Sequence, residues 1–159
     1  MIISEDVFKL LLSLSLGTAI GLEREVSDKA AGLRTNILIC MGATLYTILS
    51  IKLNFGSDPA RIAAQIVSGI GFLGAGAIMR DGDRVTGLTT AATIWAVAAI
   101  GTSIGFSHYT LAAFTTVLVL FVQLAFTQLD ILIDDWRERH TFRIVSKLDD
   151  KSIEDIKAI

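Results

Sequence analysis

Glu23, Arg24 and Glu25 close an uncharged run, residues 10–22, and Arg34 opens the next one, residues 35–51. Ionisable groups at the edge of apolar segments are costly unless they are paired or bind something. Their chemistry is therefore ion pairing or anion recognition. Thr35 and Asn36 stand beside Arg34 at a helix start, where unpaired N–H groups receive an anion or a carboxylate. Capping suffices for the two polar side chains, and Arg34 is expected to pair with Glu23 or Glu25. Arg80 arrives from a later segment as the second choice of partner. The expected inner-face network is thus Glu23, Arg24, Glu25, Arg34 and Arg80.

A second set of polar residues lies inside apolar segments. Gln65 and Ser68 fall on one helical face with Arg61, Ala64, Gly71 and Ala75, inside the uncharged run 62–79. They suit either interhelical hydrogen bonding or a polar pathway. Thr86, Thr90 and Thr93 line one side of another helix beside Thr89, and threonines there often bond their own i−4 carbonyl. Asp81 and Asp83 flank Gly82 and could attract a divalent cation, but Arg80 and Arg84 enclose them, which favours a solvated turn.

Other chemistries are poorly served. Gly69-Ile-Gly-Phe-Leu-Gly74 is a literal G-x-G-x-x-G, but a dinucleotide fold needs it between a strand and a helix, with an acid about 20 residues on. Here it sits inside an uncharged helix, and no acid follows at that distance. No nucleophile–base pair is evident, and His108 and His140 lie outside the polar cluster. No spaced set of metal ligands stands out, so no catalytic role, metal or cofactor is expected. Cys40 is the single cysteine, which precludes an internal disulfide; it reads as a small buried hydrophobe. A net charge of −2 without aromatic–basic interleaving speaks against nucleic acid.

The elements that hold these residues follow from the charge spacing. Residues 85–129 form 45 consecutive positions without Asp, Glu, Lys or Arg. A bilayer core of ~30 Å needs about 20 apolar residues as helix, so this run is two crossings with a turn near Ser103–Tyr109. The expected fold is all-α: a polytopic membrane protein with five transmembrane helices, about 4–23, 34–53, 61–79, 86–104 and 109–131, in a compact bundle. The transmembrane domain covers 1–133, and a short cytoplasmic tail covers 134–159. The acidic start of the first segment does not resemble a signal peptide. With the N-terminus outside, 11 of the 14 basic residues fall on the cytoplasmic side. Pro59 falls in an outer loop, 54–60. In the tail, 141–146 reads as a strand and 149–157 as a helix start with Ser152 as its N-cap, too little to bury a core.

Small residues set the expected packing. Gly17 and Gly21 form a GxxxG pair, suited to close packing within one subunit or to a dimer seam. Gly69, Gly71, Gly74 and Gly76 make a thin third helix, expected at the crowded centre against helices one and four. Trp95, near mid-span, is expected to pack on a small-residue face. The uncharged part of the first helix is ~20 Å long, about 10 Å short of the core. Lys9 is expected to snorkel outward, and Glu23 to lie nearest the hydrocarbon with Arg34 as its partner.

These segments together resemble the MgtC/SapB family of bacterial inner-membrane proteins, over about residues 16–106. The resemblance rests on Gly21-Leu-Glu-Arg-Glu25, Ala31-Gly-Leu-Arg-Thr-Asn36, the run Arg61-Ile-Ala-Ala-Gln-Ile-Val-Ser-Gly-Ile-Gly-Phe-Leu-Gly-Ala-Gly76 and Gly87-Leu-Thr-Thr-Ala-Ala92, in the family's order and spacing. It implies a plasma-membrane protein linked to growth in low Mg²⁺ and, in pathogens, to survival inside host cells. It also implies a non-enzymatic modulator of a membrane partner such as the proton-translocating ATP synthase. Longer members carry a cytoplasmic ACT-like domain, of which 141–159 could supply only the first strand and helix. The residues leave open a regulatory module docked on a partner complex or a small oligomeric ion or solute carrier. A homo-oligomer, such as a dimer in the lipid bilayer, fits both.

Overall fold

The computed structural model describes residues 2–53, 61–82 and 84–137, and side chains at 5–53, 61, 63–80, 82 and 85–126. The outer loop at 54–60, Asp83 and the strand and helix expected after 140 lie outside the described residues. Five helices are present among the described residues: α1 (Ile2–Val26), α2 (Leu33–Lys52), α3 (Arg61–Gly76), α4 (Leu88–Gly105) and α5 (Tyr109–Arg137). Between α3 and α4 a short antiparallel hairpin joins β1 (Met79–Asp81) to β2 (Arg84–Thr86), with Arg80 opposite Val85. By length and composition, Leu33–Lys52, Leu88–Gly105 and Tyr109–Phe126 can each cross a membrane, and Ala63–Gly76 is a shorter apolar helix. The expected all-α membrane bundle is the observed fold class.

Residues 1–124 form one compact unit and 125–159 a second, whose described part is the helical stretch to Arg137. Inside the first unit α2 is the central element, packed on α1 and α4. The reason is the absence of side chains on both neighbours. A Cβ at Gly17 would lie 3.1 Å from Ile37 Cα, and one at Gly21 only 2.9 Å from Leu33 Cα. On the other flank, a Cβ at Gly101 would press on the Cys40 carbonyl and stand 3.0 Å from Ala43 Cβ. One at Gly105 would collide with Thr47. Gly101-Thr-Ser-Ile-Gly105 is thus a second GxxxG pair, where the sequence suggested only a turn. Thr44 Oγ1 sits in this seam and donates to either the Cys40 or the Gly101 carbonyl, both 2.9 Å away.

The third helix is not the buried centre. It packs on α4 and, less extensively, on α2, through Ala63, Ile70 and Gly74. At Gly69, Gly71 and Gly76 an added Cβ would meet nothing within 4 Å, and at Gly74 only Ala91 at ordinary contact, 3.7 Å. Glycine permits a close approach; it does not compel one, and here α2 has taken the central place. The helix also ends three residues early. Ala77 and Ile78 close it with tight backbone bonds to Gly74 and Ala75 (both 3.1 Å), and the chain enters β1. Trp95 is likewise on the outside, 55% exposed. Gly87, at φ +87°, starts α4 in the left-handed region, where a Cβ would also strike the Ala77 carbonyl.

The far end is tied by polar contacts. Lys9 does not snorkel: it is 7% exposed, its Nζ 3.3 Å from the Gly105 carbonyl and 3.3 Å from Glu5. A cation on the last carbonyls of α4 complements the helix dipole. Lys52 pairs with Asp6, joining α2 to α1. Helix α5 lies on the others by a narrow stripe: Tyr109 edge-on to Phe8 at 5.6 Å, then Ala112, Thr116 and Gln123.

Gly21→Leu and Gly101→Leu should each cost at least ~1–3 kcal/mol through overpacking, and Gly71→Leu nothing measurable. Thermal unfolding in detergent checks this, at about 2–4 °C per kcal/mol. Equal midpoints for all three would refute the central position of α2.

Candidate functional site

The charged residues expected at the inner face divide into three separate arrangements. Arg24 is 2% exposed and is the largest fully buried side chain of the described residues. Its guanidinium forms a fork on Glu23: Nη2 donates to Oε1 at 2.6 Å, and Nε contacts Oε2. Ser27 Oγ donates to the same carboxylate at 2.9 Å. Glu23 therefore pairs with Arg24 and not with Arg34. Adjacent residues on a helix point in different directions, whereas the short 23–34 connection brings Arg34 near by sequence. The long arginine side chain nevertheless folds back along α1.

Glu25 works differently. Its Oε2 accepts the Leu33 N–H at 2.8 Å, supplying the cap that Gly32, the N-cap of α2, lacks a side chain to give. Arg34 is exposed and forms no ion pair among the described residues. Arg80 is on β1, exposed, with Nε donating to the Gly82 carbonyl at 3.1 Å. The five residues thus do not make one closed network: two form a buried pair, one is a cap, one is free and one braces a hairpin.

The polar residues of the membrane segments divide as well. Asn36 is fully buried and donates through Nδ2 to the carbonyls of Ala31 (2.7 Å) and Gly32 (2.8 Å). It holds the α1–α2 turn against the start of α2. Thr93 Oγ1 donates to its own i−4 carbonyl, Thr89, at 2.9 Å, and accepts from Gln123 Nε2 at 3.0 Å. Thr90 is buried beside it, whereas Thr89 is exposed. Gln123 was missed by sequence reasoning; a glutamine inside the apolar run 109–126 was the available signal. Gln65 and Ser68 are both exposed on α3, so neither forms the interhelical contact within the subunit that was one reading of them.

An open cavity of about 580 Å³ lies between α2 and α3. Arg34 and Thr35 line one end, Tyr46 and Gln65 the other, and Leu38, Ile39, Ile70 and Leu73 the walls. Among the described residues, no three of His, Cys, Asp and Glu come together as a metal site would need.

The MgtC family model matches residues 10–131, most of the chain. The chain belongs to the MgtC family. It is 48% identical to Protein MgtC of Salmonella typhimurium over 120 residues, 76% of this chain and 52% of that protein. It is 42% identical to the Putative magnesium transporter YhiD of Escherichia coli K12 over 153 residues, 91% of this chain and 66% of the relative. An uncharacterised Synechocystis protein, slr0014, is 43% identical over 131 residues, 82% and 56% of the two chains. The chain therefore spans between half and two thirds of the length of these curated relatives. No solved structure matches it. For an MgtC-family chain, the Glu23–Arg24 pair and the Glu25 cap fix the geometry at one end of α1 and α2.

Removing Arg24 should leave a partly buried carboxylate without its cation, at a cost below the ~3–5 kcal/mol of a fully buried pair. Arg24→Ala should therefore unfold well below the wild type, and Glu23→Ala/Arg24→Ala should recover part of the loss. Arg34→Ala should leave the thermal midpoint unchanged. A double-mutant cycle in detergent measures this; full additivity of the Glu23 and Arg24 losses would refute the pairing.

Proposed function

We propose that this chain is a non-enzymatic module of the bacterial plasma membrane that modulates a membrane partner complex during adaptation to low magnesium. The observation that carries this reading is the outward face of α3. Ala64, Ser68, Gly71 and Ala75 share one side of the helix, and all are exposed. A face of small residues with one hydroxyl suits close approach by another transmembrane helix. Helix α5 by contrast presents bulky residues, with Phe114, Val117 and Phe121 exposed. The family supports the same direction, because relatives carry the names MgtC and Putative magnesium transporter. The resemblance nominates the proton-translocating ATP synthase as the partner, in virulence as well as in magnesium limitation. A second copy of this chain is the other occupant of that face.

A carrier is the second reading. It is favoured by the cavity between α2 and α3 and by the transporter name of the Escherichia coli relative. Flux through purified protein in liposomes separates the two: robust, saturable flux supports the carrier, and its absence the modulator. The asymmetry of basic residues supports an outside N-terminus. A C-terminal reporter should then be active only when it is one that works in the cytoplasm; activity of an outer-side reporter would reverse the orientation.

A photo-crosslinker at Ser68 should capture ATP synthase subunits from membranes of magnesium-starved cells. Gly71→Leu should reduce that capture and growth in low Mg²⁺ several-fold without lowering thermal stability. Unchanged capture and growth in Gly71→Leu would remove α3 as the docking face, and capture of this chain alone would assign the face to self-association.

A further inference from the structure

We propose that the α2–α3 cavity is a site for one anionic phospholipid, with its phosphate on Arg34 and one acyl chain lying along the groove. This inference does not depend on partner docking, because the two features occupy different sides of α3. Gln65, Gly69 and Leu73 turn toward the groove, whereas Ser68, Gly71 and Ala75 are not among its walls.

The shape of the cavity is the first argument. Along α2 it extends from Arg34 to Tyr46, about 18 Å of helix. That is close to the depth of one leaflet, half of a ~30 Å hydrocarbon core. Spread over that length, about 580 Å³ makes a long, narrow groove of a shape that suits a hydrocarbon chain. Both walls are cut back to the main chain at a glycine: a Cβ at Gly42 or at Gly69 would meet nothing within 4 Å. Between these points the floor is apolar and buried, formed by Ile39, Ala43 and Ile70.

Charge selects the headgroup. Among the described residues that line the cavity, Arg34 alone is an Asp, Glu, Lys or Arg, and it stands at one end. Its guanidinium is exposed and without a carboxylate among the described residues, although Glu23 and Glu25 lie on the neighbouring helix. Glu23 is taken by Arg24 and Glu25 by the Leu33 N–H. Those two contacts leave the guanidinium available for a phosphate, which it can hold with two parallel hydrogen bonds. Thr35 adds a hydroxyl at the same end. A cationic rim on an apolar groove matches an anionic amphiphile and opposes a bare divalent cation. The occupant also answers a packing question: α3 meets α2 less extensively than α4, and a lipid chain would fill the open side of that seam.

Native mass spectrometry of the full chain, released from nanodiscs of phosphatidylglycerol and phosphatidylcholine in equal parts, tests the site. One retained phosphatidylglycerol per chain is expected, in preference to phosphatidylcholine. Arg34→Gln should lower that retention about tenfold, whereas Arg61→Gln, which removes an exposed cation elsewhere on α3, should leave it unchanged. Gly69→Leu and Gly42→Leu should each abolish it, with unfolding midpoints near the wild type because both substitutions enter open space. No retained lipid overturns the proposal. So does equal retention of the two lipids, or unchanged retention in both folded glycine variants. Dimers held together in place of lipid, and lost in Gly69→Leu, would give the groove to a second copy instead.

Discussion

The closeness of α2 to its two neighbours is the constraint on which the rest of the first unit depends. In lipid no hydrophobic force drives helices together, so contact must come from packing and interhelical hydrogen bonds. Two glycine pairs on opposite sides of α2, Gly17/Gly21 and Gly101/Gly105, let three backbones approach until a single Cβ would collide. Thr44 adds a hydroxyl between two main-chain carbonyls in the same seam. Such a hydroxyl satisfies its own need for a partner without requiring water. The arrangement explains why the buried residues of α2 are mostly small: Cys40, Ala43, Thr44 and Thr47. Larger side chains there would separate the helices that the glycines bring together.

Charge is handled locally at both ends of this core. At one end Arg24 and Glu23 neutralise each other within one helix, and Glu25 caps the next. At the other, Lys9 lies against the terminal carbonyl of α4 and Lys52 against Asp6. Each potentially costly group has a partner on its own or an adjacent element, so the core can be sealed without a long-range network. Arg34, exposed and without an ion pair among the described residues, opens onto the groove between α2 and α3.

Helix α3 is held differently from the other elements. It meets α4 through Gly74 and Ala91, turns Gly69 to the groove and leaves Gly71 and Gly76 exposed. Its small-residue face and its groove are two surfaces of distinct chemistry, proposed for a helix and for a hydrocarbon chain. A helix with little internal packing is also the one most open to influence from whatever covers it. The proposed partner face and the lipid groove therefore lie on a loosely packed element. The MgtC family model, which matches residues 10–131, covers nearly all of the first unit.

The amino-acid sequence by itself determined the family, the all-α membrane class and the approximate limits of the helices, because charge spacing and apolar length are one-dimensional quantities. It also marked Gly17/Gly21, Asn36 and the inner-face charges as special, since each breaks the composition around it. It could not rank the helices. Several carry small residues at helical spacing, and only their competition for the same space decided that α2, rather than the glycine-rich α3, is central. The second glycine pair was hidden for a related reason: Gly105 sits beside Ser107 and His108, and local composition read as a turn. Partner choice was equally a tertiary matter. Glu23 had Arg24, Arg34 and Arg80 within plausible reach; the paths of the side chains, together with the hairpin that carries Arg80 away, selected the neighbour. The groove beside Arg34 has no counterpart in the sequence at all, because a void is made by what two helices fail to place between them.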